Sequence, residues 1–93
     1  MEVRHGITLH LDVIKRDIPR LDTLWRQTVR NAIREKLTTR PEVHGKPLRQ
    51  SLKGCRTFRV GDYRVVFQIQ QKTVHILAII HRSSNYAGVE KRL

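Results

Sequence analysis

A two-residue turn within the last third of this chain constrains its fold more than any other sequence feature. Gly61-Asp62 separates two runs of alternating residues, and glycine stands where a type II′ turn requires a positive φ angle. Such a turn fixes the register of a β-hairpin. The facing pairs are then Val60 with Tyr63, Arg59 with Arg64, Phe58 with Val65, and Thr57 with Val66. A third strand-like run, Thr73 to Ile80, follows, so the sequence predicts a sheet with assignable faces.

Regular alternation assigns the side chains of this sheet to two faces. The face that we expect to lie under helices carries Phe58, Val60, Tyr63, Val65, Phe67, Ile69, Val74, Ile76, Ala78 and Ile80. The opposite face carries Thr57, Arg59, Arg64, Val66, Gln68, His75, Leu77, Ile79 and His81. Because Val66, Leu77 and Ile79 are apolar, we expect something to cover part of this second face.

The N-terminal half reads as helical. Leu11 to Ile18 has helical spacing and is expected to end near Asp17–Ile18, because Pro19 follows. A second helix begins near Asp22 or Thr23, either of which can cap it. Its apolar stripe is Leu21, Trp25, Val29, Ile33 and Leu37, widened by Leu24 and Ala32. Val3 to Leu9 could form a first strand, and Thr38 to Leu48 reads as a loop.

These elements predict an α+β fold in which two N-terminal helices pack on one face of a small antiparallel β-sheet. A chain of 93 residues makes one domain, 1–93. Its single cysteine excludes an intramolecular disulfide and a multi-cysteine zinc site. The N-terminus has no apolar signal region, and the longest apolar run, Ile76 to Ile80, is too short to span a bilayer. We therefore expect a cytoplasmic protein without membrane attachment.

The formal charge of +11 is concentrated in the strand-rich half. Residues 1–45 contain nine basic and six acidic residues, a balance of +3, whereas residues 46–93 contain ten and two, a balance of +8. This distribution favours a polyanionic partner over solubility alone. On the second helix, Arg26, Arg30 and Arg34 form a stripe that is either a solvated face or a secondary contact to nucleic acid.

Arginines near the end of the sheet are the candidates for chemistry. Arg59 and Arg64 face each other, which is unfavourable unless an anion lies between them or each extends separately into water. Arg82 would point into the core of a regular strand, so we expect the strand to end or bulge and free it towards the arginines. A tyrosine near arginines, such as Tyr86, can act as a base because positive charge stabilises its phenolate.

The sequence contains no clustered carboxylates for Mg²⁺, no HExxH, no P-loop and no GxSxG motif. An enzyme of this kind would work without a metal or other cofactor on a phosphodiester. RNA supplies its own nucleophile, the 2′-hydroxyl. The protein would supply a base, positive charge for the phosphorane, and an acid for the leaving 5′-oxygen.

Several segments together resemble the RelE branch of the RelE/ParE toxin superfamily. They are DIPRL (17–21), GKPL (45–48), LKG (52–54), FRVGDYRVVF (58–67) and LAIIHRSSNY (77–86). The resemblance implies a type II toxin that enters the ribosomal A site, cuts mRNA there and inhibits translation. It also implies a cognate antitoxin that neutralises the toxin in a hetero-oligomeric complex.

The resemblance also implies roles for single residues. Arg64 and Arg82 match the arginines that bind the scissile phosphate, and Tyr86 matches the tyrosine that activates the 2′-hydroxyl. Arg59, together with Arg56 and Lys53, is a candidate for RNA binding. Thr57 stands where many relatives carry a second basic residue, and His81 is the better substitute for the missing proton donor, because Arg56 should point to the other face.

Two alternatives stay open at the level of sequence. A ParE-like inhibitor of DNA gyrase would share the sheet and cut nothing, and it would need neither Arg82 nor Tyr86. A degenerate toxin would bind only its antitoxin and operator DNA.

Overall fold

The computed structural model describes residues 4–93, which fold around one five-stranded sheet in the order β1-β5-β4-β3-β2. The strands are β1 (Gly6–Leu9), β2 (Lys46–Pro47), β3 (Arg56–Val60), β4 (Tyr63–Gln70) and β5 (Thr73–His81). β3, β4 and β5 pair antiparallel as predicted. β2, which was not predicted, pairs antiparallel with β3, and β1 lies parallel to β5 and makes the sheet mixed. The predicted α+β fold class is confirmed; Val3, where the first strand was expected to begin, lies outside the described residues.

Helix α1 consists of a π-helical turn, Val13–Asp17, and an α-helical turn, Ile18–Arg20. The predicted end near Asp17–Ile18 is wrong, because the chain stays helical through Pro19. Pro19 lies just after the junction at which the helix changes from π-helical to α-helical. The guanidinium of Arg26 hydrogen bonds to the carbonyls of Ile18 and Leu21 (3.1 and 2.8 Å) and stabilises the end of α1.

Helix α2 (Thr23–Ala32) continues as a π-helical turn, Ile33–Leu37, and follows α1 across one sheet face. The Asp22 carboxylate caps it by accepting a hydrogen bond from the Trp25 N–H (2.9 Å). The apolar stripe packs against the sheet as predicted, except that Leu24 is 72% exposed. None of the helices between residues 4 and 93 is long and apolar enough to cross a membrane.

The segment Thr38 to Leu48, which was predicted to be a loop, contains a short helix, α3 (Pro41–His44), and strand β2. Gly45 joins them under the Phe67 ring, where an added Cβ would clash with that ring. The Arg56 guanidinium donates hydrogen bonds to the carbonyls of Gly45 (2.9 Å) and Glu42 (3.3 Å). These contacts hold the segment against the sheet.

The β3–β4 hairpin has the predicted register, including the opposition of Arg59 and Arg64. Gly61 has a φ of +56°, the conformation that the first residue of a type II′ turn requires. The position also needs glycine because an added Cβ would lie 2.5 Å from an atom of the Trp25 ring. Local turn chemistry and tertiary packing thus select the same residue.

A β-bulge at Leu77 reverses the predicted faces of the last part of β5. Val66 pairs with Ala78, but the next residue of β4, Phe67, pairs with Ile76, so Leu77 is an extra residue on β5. The prediction that Ala78 and Ile80 lie on the helix side and Ile79 and His81 on the opposite side is therefore wrong. The pairs Ile80 with Arg64 and Ile79 with Val65 show the exchange.

Two apolar cores lie on the two sides of the sheet. The helix-side core contains Val13, Leu21, Val29, Ile33, Leu37, Phe58, Val60, Val65, Phe67, Val74, Ile76 and Ile79. The second core contains Leu52, Cys55, Val66, Leu77, Ala78 and Val89, with Leu48, Ile80 and Tyr86 at its margin. We expected part of the second face to be covered. The segment before β3 and helix α4 (Ala87–Glu90) pack on this face and cover it.

Candidate functional site

The arginine face is the exposed end of the second sheet face, and we define it by Arg59, Arg64, Arg82 and Tyr86. Arg59 and Arg64 reach it from facing positions on β3 and β4. The Arg59 side chain turns to the hairpin and donates to the Gly61 carbonyl (3.2 Å). Arg64 extends the other way and donates to the Tyr86 hydroxyl (3.4 Å). The two guanidinium groups therefore have separate partners, which relieves their mutual repulsion.

Tyr86 reaches Arg64 because the chain after β5 folds back over the second core. Its ring lies at the margin of that core, with the Arg64 guanidinium carbon 5.8 Å from the ring centre. Its carbonyl accepts a hydrogen bond from the Val89 N–H (2.9 Å), and Val89 is buried. The hydroxyl is thus held beside the positive charge of Arg64.

Arg82 comes directly after β5 and extends into solvent with 57% of its side chain exposed. Its N–H donates to the Asp62 carbonyl (2.7 Å), and its guanidinium lies 3.7 Å from an Asp62 carboxylate oxygen. Since the bulge places Ile80 opposite Arg64, residue 82 follows on the same side of the sheet. A bulge was expected to free Arg82, but it occurs at Leu77 rather than beside Arg82.

His81 does not share this face. The bulge places it opposite Tyr63 on the helix side, where the two rings meet edge to face with their centres 5.3 Å apart. Its Nδ1 is 2.8 Å from the Ser83 hydroxyl oxygen. The same shift of register that brings residue 82 to the arginine face therefore removes His81 from it.

The remaining candidates for RNA binding have different environments. Arg56 points to the helix side, as expected, and its guanidinium is used in the contacts to Gly45 and Glu42. Lys53 is exposed beside Leu52, on the segment that covers the second core. Thr57 faces Val66, and its hydroxyl is buried without a hydrogen-bond partner among residues 4–93.

Other reactive side chains are buried or dispersed. Burial raises the pKa of the Cys55 thiol, which keeps it protonated and a poor nucleophile. Within the part of the chain that the structure describes, no three His, Cys, Asp or Glu side chains form a group that could hold a metal ion.

Comparison with known proteins defines the class to which this fold and arginine face belong. Residues 10–86 match the family described as ParE toxin of type II toxin–antitoxin system, parDE. The chain therefore belongs to the RelE/ParE superfamily of toxins of type II toxin–antitoxin systems.

Within that superfamily the chain is similar to RelE. It is 44% identical over 52 residues to Toxin RelE of Mycobacterium tuberculosis, a match covering 54% of each chain, so it spans about half the length of this curated relative. A chain of the crystal structure of the toxin–antitoxin complex RelBE2 from the same species superposes with a TM-score of 0.80 and 30% identity, over 86% of this chain and 100% of that one. The solution structure of HP0894 from Helicobacter pylori, at 16% identity and a TM-score of 0.61 over 86% and 97%, shares the fold.

Proposed function

We propose that this protein is a toxin that cuts mRNA in the ribosomal A site, without a metal ion, and so inhibits translation. The observation that carries the proposal is the hydrogen bond from Arg64 to the Tyr86 hydroxyl on a face otherwise occupied by exposed arginines. The similarity to RelE, over half of that relative's length, agrees with it. The positive charges of Arg59, Arg64 and Arg82 would attract an anion to this face, and the neighbouring carboxylate of Asp62 is half exposed and displaceable.

The chemistry assigns one step to each group. Tyr86 takes the proton of the 2′-hydroxyl, the 2′-oxygen attacks the adjacent phosphorus, and the bond from phosphorus to the 5′-oxygen breaks. The 5′-oxygen takes a proton from water and leaves as a 5′-hydroxyl, and the other product is a 2′,3′-cyclic phosphate. Arg64 holds the Tyr86 oxygen in place through its hydrogen bond, and Arg64 and Arg82 stabilise the negative charge of the phosphorane. Arg59 and Lys53 contribute to binding of neighbouring phosphates. His81 and Arg56 are left out of the proposed site because both lie on the helix side of the sheet.

Mapping of mRNA ends in cells that express the protein tests this proposal. We expect discrete cuts within codons on translated mRNA, and we expect Tyr86→Phe and Arg82→Ala each to reduce cleavage about 10²-fold or more. Arg49→Ala, at an exposed position before β3, is the matched control and should cut normally. Full toxicity of both site variants would show that the site is wrong.

The match to the ParE family favours a second candidate, inhibition of DNA gyrase without nuclease activity. The same experiment separates the two. Intact mRNA together with DNA damage in cells that express the protein would support the gyrase inhibitor and exclude cleavage.

We also propose that the partner is a cognate antitoxin, as in the RelBE2 complex, and that it docks in a groove between β1 and α2. The groove has a volume of about 670 Å³, and its floor is formed by Ile7, Leu9, Leu21, Val29, Ile33 and Ile79. Arg30 and Arg34 lie at its rim and make no ion pair within residues 4–93. An amphipathic acidic segment complements both the floor and the rim.

Charge reversal at the rim tests the groove. Arg30→Glu with Arg34→Glu should weaken binding of the cognate antitoxin at least tenfold, measured by calorimetry, because two favourable contacts become repulsive. Lys15→Glu with Arg16→Glu carries the same charge change on the exposed part of α1 and should bind normally. Equal affinities of the two double variants would contradict this docking site.

A further inference from the structure

Asp17 belongs to the DIPRL segment, and the proposed function gives it no role. It is nevertheless buried, with 5% of its side chain exposed. Its carboxylate accepts two hydrogen bonds from Arg92, at 2.6 and 3.0 Å, across 75 residues of sequence. The hydrogen bond to Asp17 raises the pKa of Arg92 above its ordinary value, so the guanidinium stays charged. A buried charge pair of this kind requires further hydrogen bonds to be tolerated.

The further hydrogen bonds go to the backbone of β5 beside its bulge. The Ile79 N–H donates to the Asp17 carboxylate (2.9 Å), and the Leu77 carbonyl accepts from Arg92 (3.0 Å). Strand β1 cannot serve these groups because its pairing with β5 ends near Ile76, whose carbonyl accepts from the His10 N–H (2.8 Å). The Asp17–Arg92 pair therefore satisfies the backbone groups of β5 that a neighbouring strand would otherwise bind. These groups lie beside the bulge, after which the side chains of β5 have exchanged faces.

The pair also fixes the segment that carries Tyr86. Between Tyr86 and Arg92 the chain makes helix α4, and the Arg92 N–H donates to the Val89 carbonyl (2.9 Å). The side chain of Val89 is buried in the second core, and the guanidinium of Arg92 is bound to Asp17. One ion pair thus holds both the bulge, which brings Arg82 to the arginine face, and the turn, which brings Tyr86 to Arg64.

We propose that Asp17 and Arg92 are positioning residues of the arginine face. They touch no reacting atom and act through the backbone of β5 and α4, by fixing where Arg82 and Tyr86 lie relative to Arg64. The proposal rests on the proposed cleavage reaction for its kinetic consequence, because a displacement of about 1 Å can reduce a rate about 10²-fold. Its structural part, the position of Tyr86, stands independently of that reaction.

Asp17→Asn and Arg92→Lys test the pair, with Asp12→Asn as the matched control. Asp12 lies on the same side of the molecule, 3.7 Å from the same Arg92 guanidinium, but makes no hydrogen bond to β5. Cleavage is measured on ribosomes programmed with mRNA, as a function of toxin concentration and well below the unfolding temperature of each variant. We expect the saturating rate to fall 10- to 100-fold for the two test variants, with the half-saturating concentration within twofold of wild type, and neither value to change for Asp12→Asn.

Backbone amide exchange and the NMR shifts of the Tyr86 ring provide the second readout. Both test variants should speed exchange at Ile79 at least tenfold and move the Tyr86 ring shifts, and Asp12→Asn should do neither. Unchanged saturating rates or unchanged ring shifts in a folded Asp17→Asn would overturn the proposal. If Asp17→Asn does not fold, the saturating rate and the Tyr86 ring shifts of Arg92→Lys, which keeps the positive charge, test the proposal instead. Absence of cleavage by the wild type would overturn the proposed function, and the ring shifts would still decide the positioning role.

Discussion

Arg92 and Arg64 show how two arginines in one small domain can have opposite uses. Arg92 has 14% of its side chain exposed and is bound to a carboxylate and a carbonyl. Arg64 is half-buried, and its side-chain hydrogen bond goes to a phenol at 3.4 Å, with no carboxylate in ion-pair distance among residues 4–93. A guanidinium has five N–H donors. Arg92 uses its donors inside the fold, whereas Arg64 keeps most of them for an external acceptor.

The contrast teaches that charge alone does not identify a binding arginine in a chain of net charge +11. The guanidinium groups of Arg26 and Arg56 also donate hydrogen bonds to backbone carbonyls within the protein. Arg64 has the Tyr86 phenol as its side-chain hydrogen-bond partner, and Arg30 and Arg34 at the rim of the groove make no ion pair within residues 4–93. Carbonyl and carboxylate partners inside the molecule therefore identify arginines that serve the fold.

The largest expected effect is on the free energy of unfolding, which should fall much more when Arg92 is replaced than when Arg64 is replaced. Arg92→Leu leaves the Asp17 carboxylate buried without a counter-charge, so we expect the free energy of unfolding to fall by about 3–5 kcal/mol. Arg64→Leu removes a group without a buried counter-charge and should change it by less than about 1 kcal/mol. Urea denaturation at pH 7, followed by circular dichroism, measures both.

Replacing both partners sharpens this test. Asp17→Leu combined with Arg92→Leu leaves no uncompensated charge, and we expect it to recover part of the stability that Arg92→Leu loses. The recovery should be incomplete because the Ile79 N–H loses its acceptor. Equal losses for Arg92→Leu and Arg64→Leu would contradict the distinction between the two arginines.

The smallest expected effect concerns the carboxylate of Asp62, which lies beside the arginine face. Asp62→Asn removes the charge 3.7 Å from the Arg82 guanidinium in an exposed pair. Exposed pairs are worth about 1 kcal/mol or less, so single-stranded RNA should bind up to about fivefold more tightly. Fluorescence anisotropy at low salt measures this change.

Glu90→Gln is the control for Asp62→Asn, since it makes the same change of charge at the end of helix α4, where the Glu90 carboxylate accepts a hydrogen bond from the Ser51 hydroxyl. A gain in affinity of the same size in both variants would show a general effect of net charge rather than release of Arg82.

Sequence reasoning succeeded where the determinants of structure are local. The hairpin register follows from Gly61 and from alternation over a few residues, and the stripe of α2 follows from helical spacing. It failed for the last part of β5, where regular alternation placed Ile79 and His81 on the wrong face. A one-residue bulge inverts every side chain beyond it, and Leu77 carries no local signal of one.

The sequence by itself determined the α+β class, the hairpin with its opposed arginines, the concentration of charge and the likeness to RelE. Only the tertiary structure decided that residue 82 rather than His81 shares a face with Arg64, and that Tyr86 meets Arg64. The physical reason is that the bulge is satisfied by Asp17 and Arg92, which lie 62 residues before Ile79 and 15 residues after Leu77. Hydrogen bonds over such separations exist only once the chain has folded, so no local pattern encodes them.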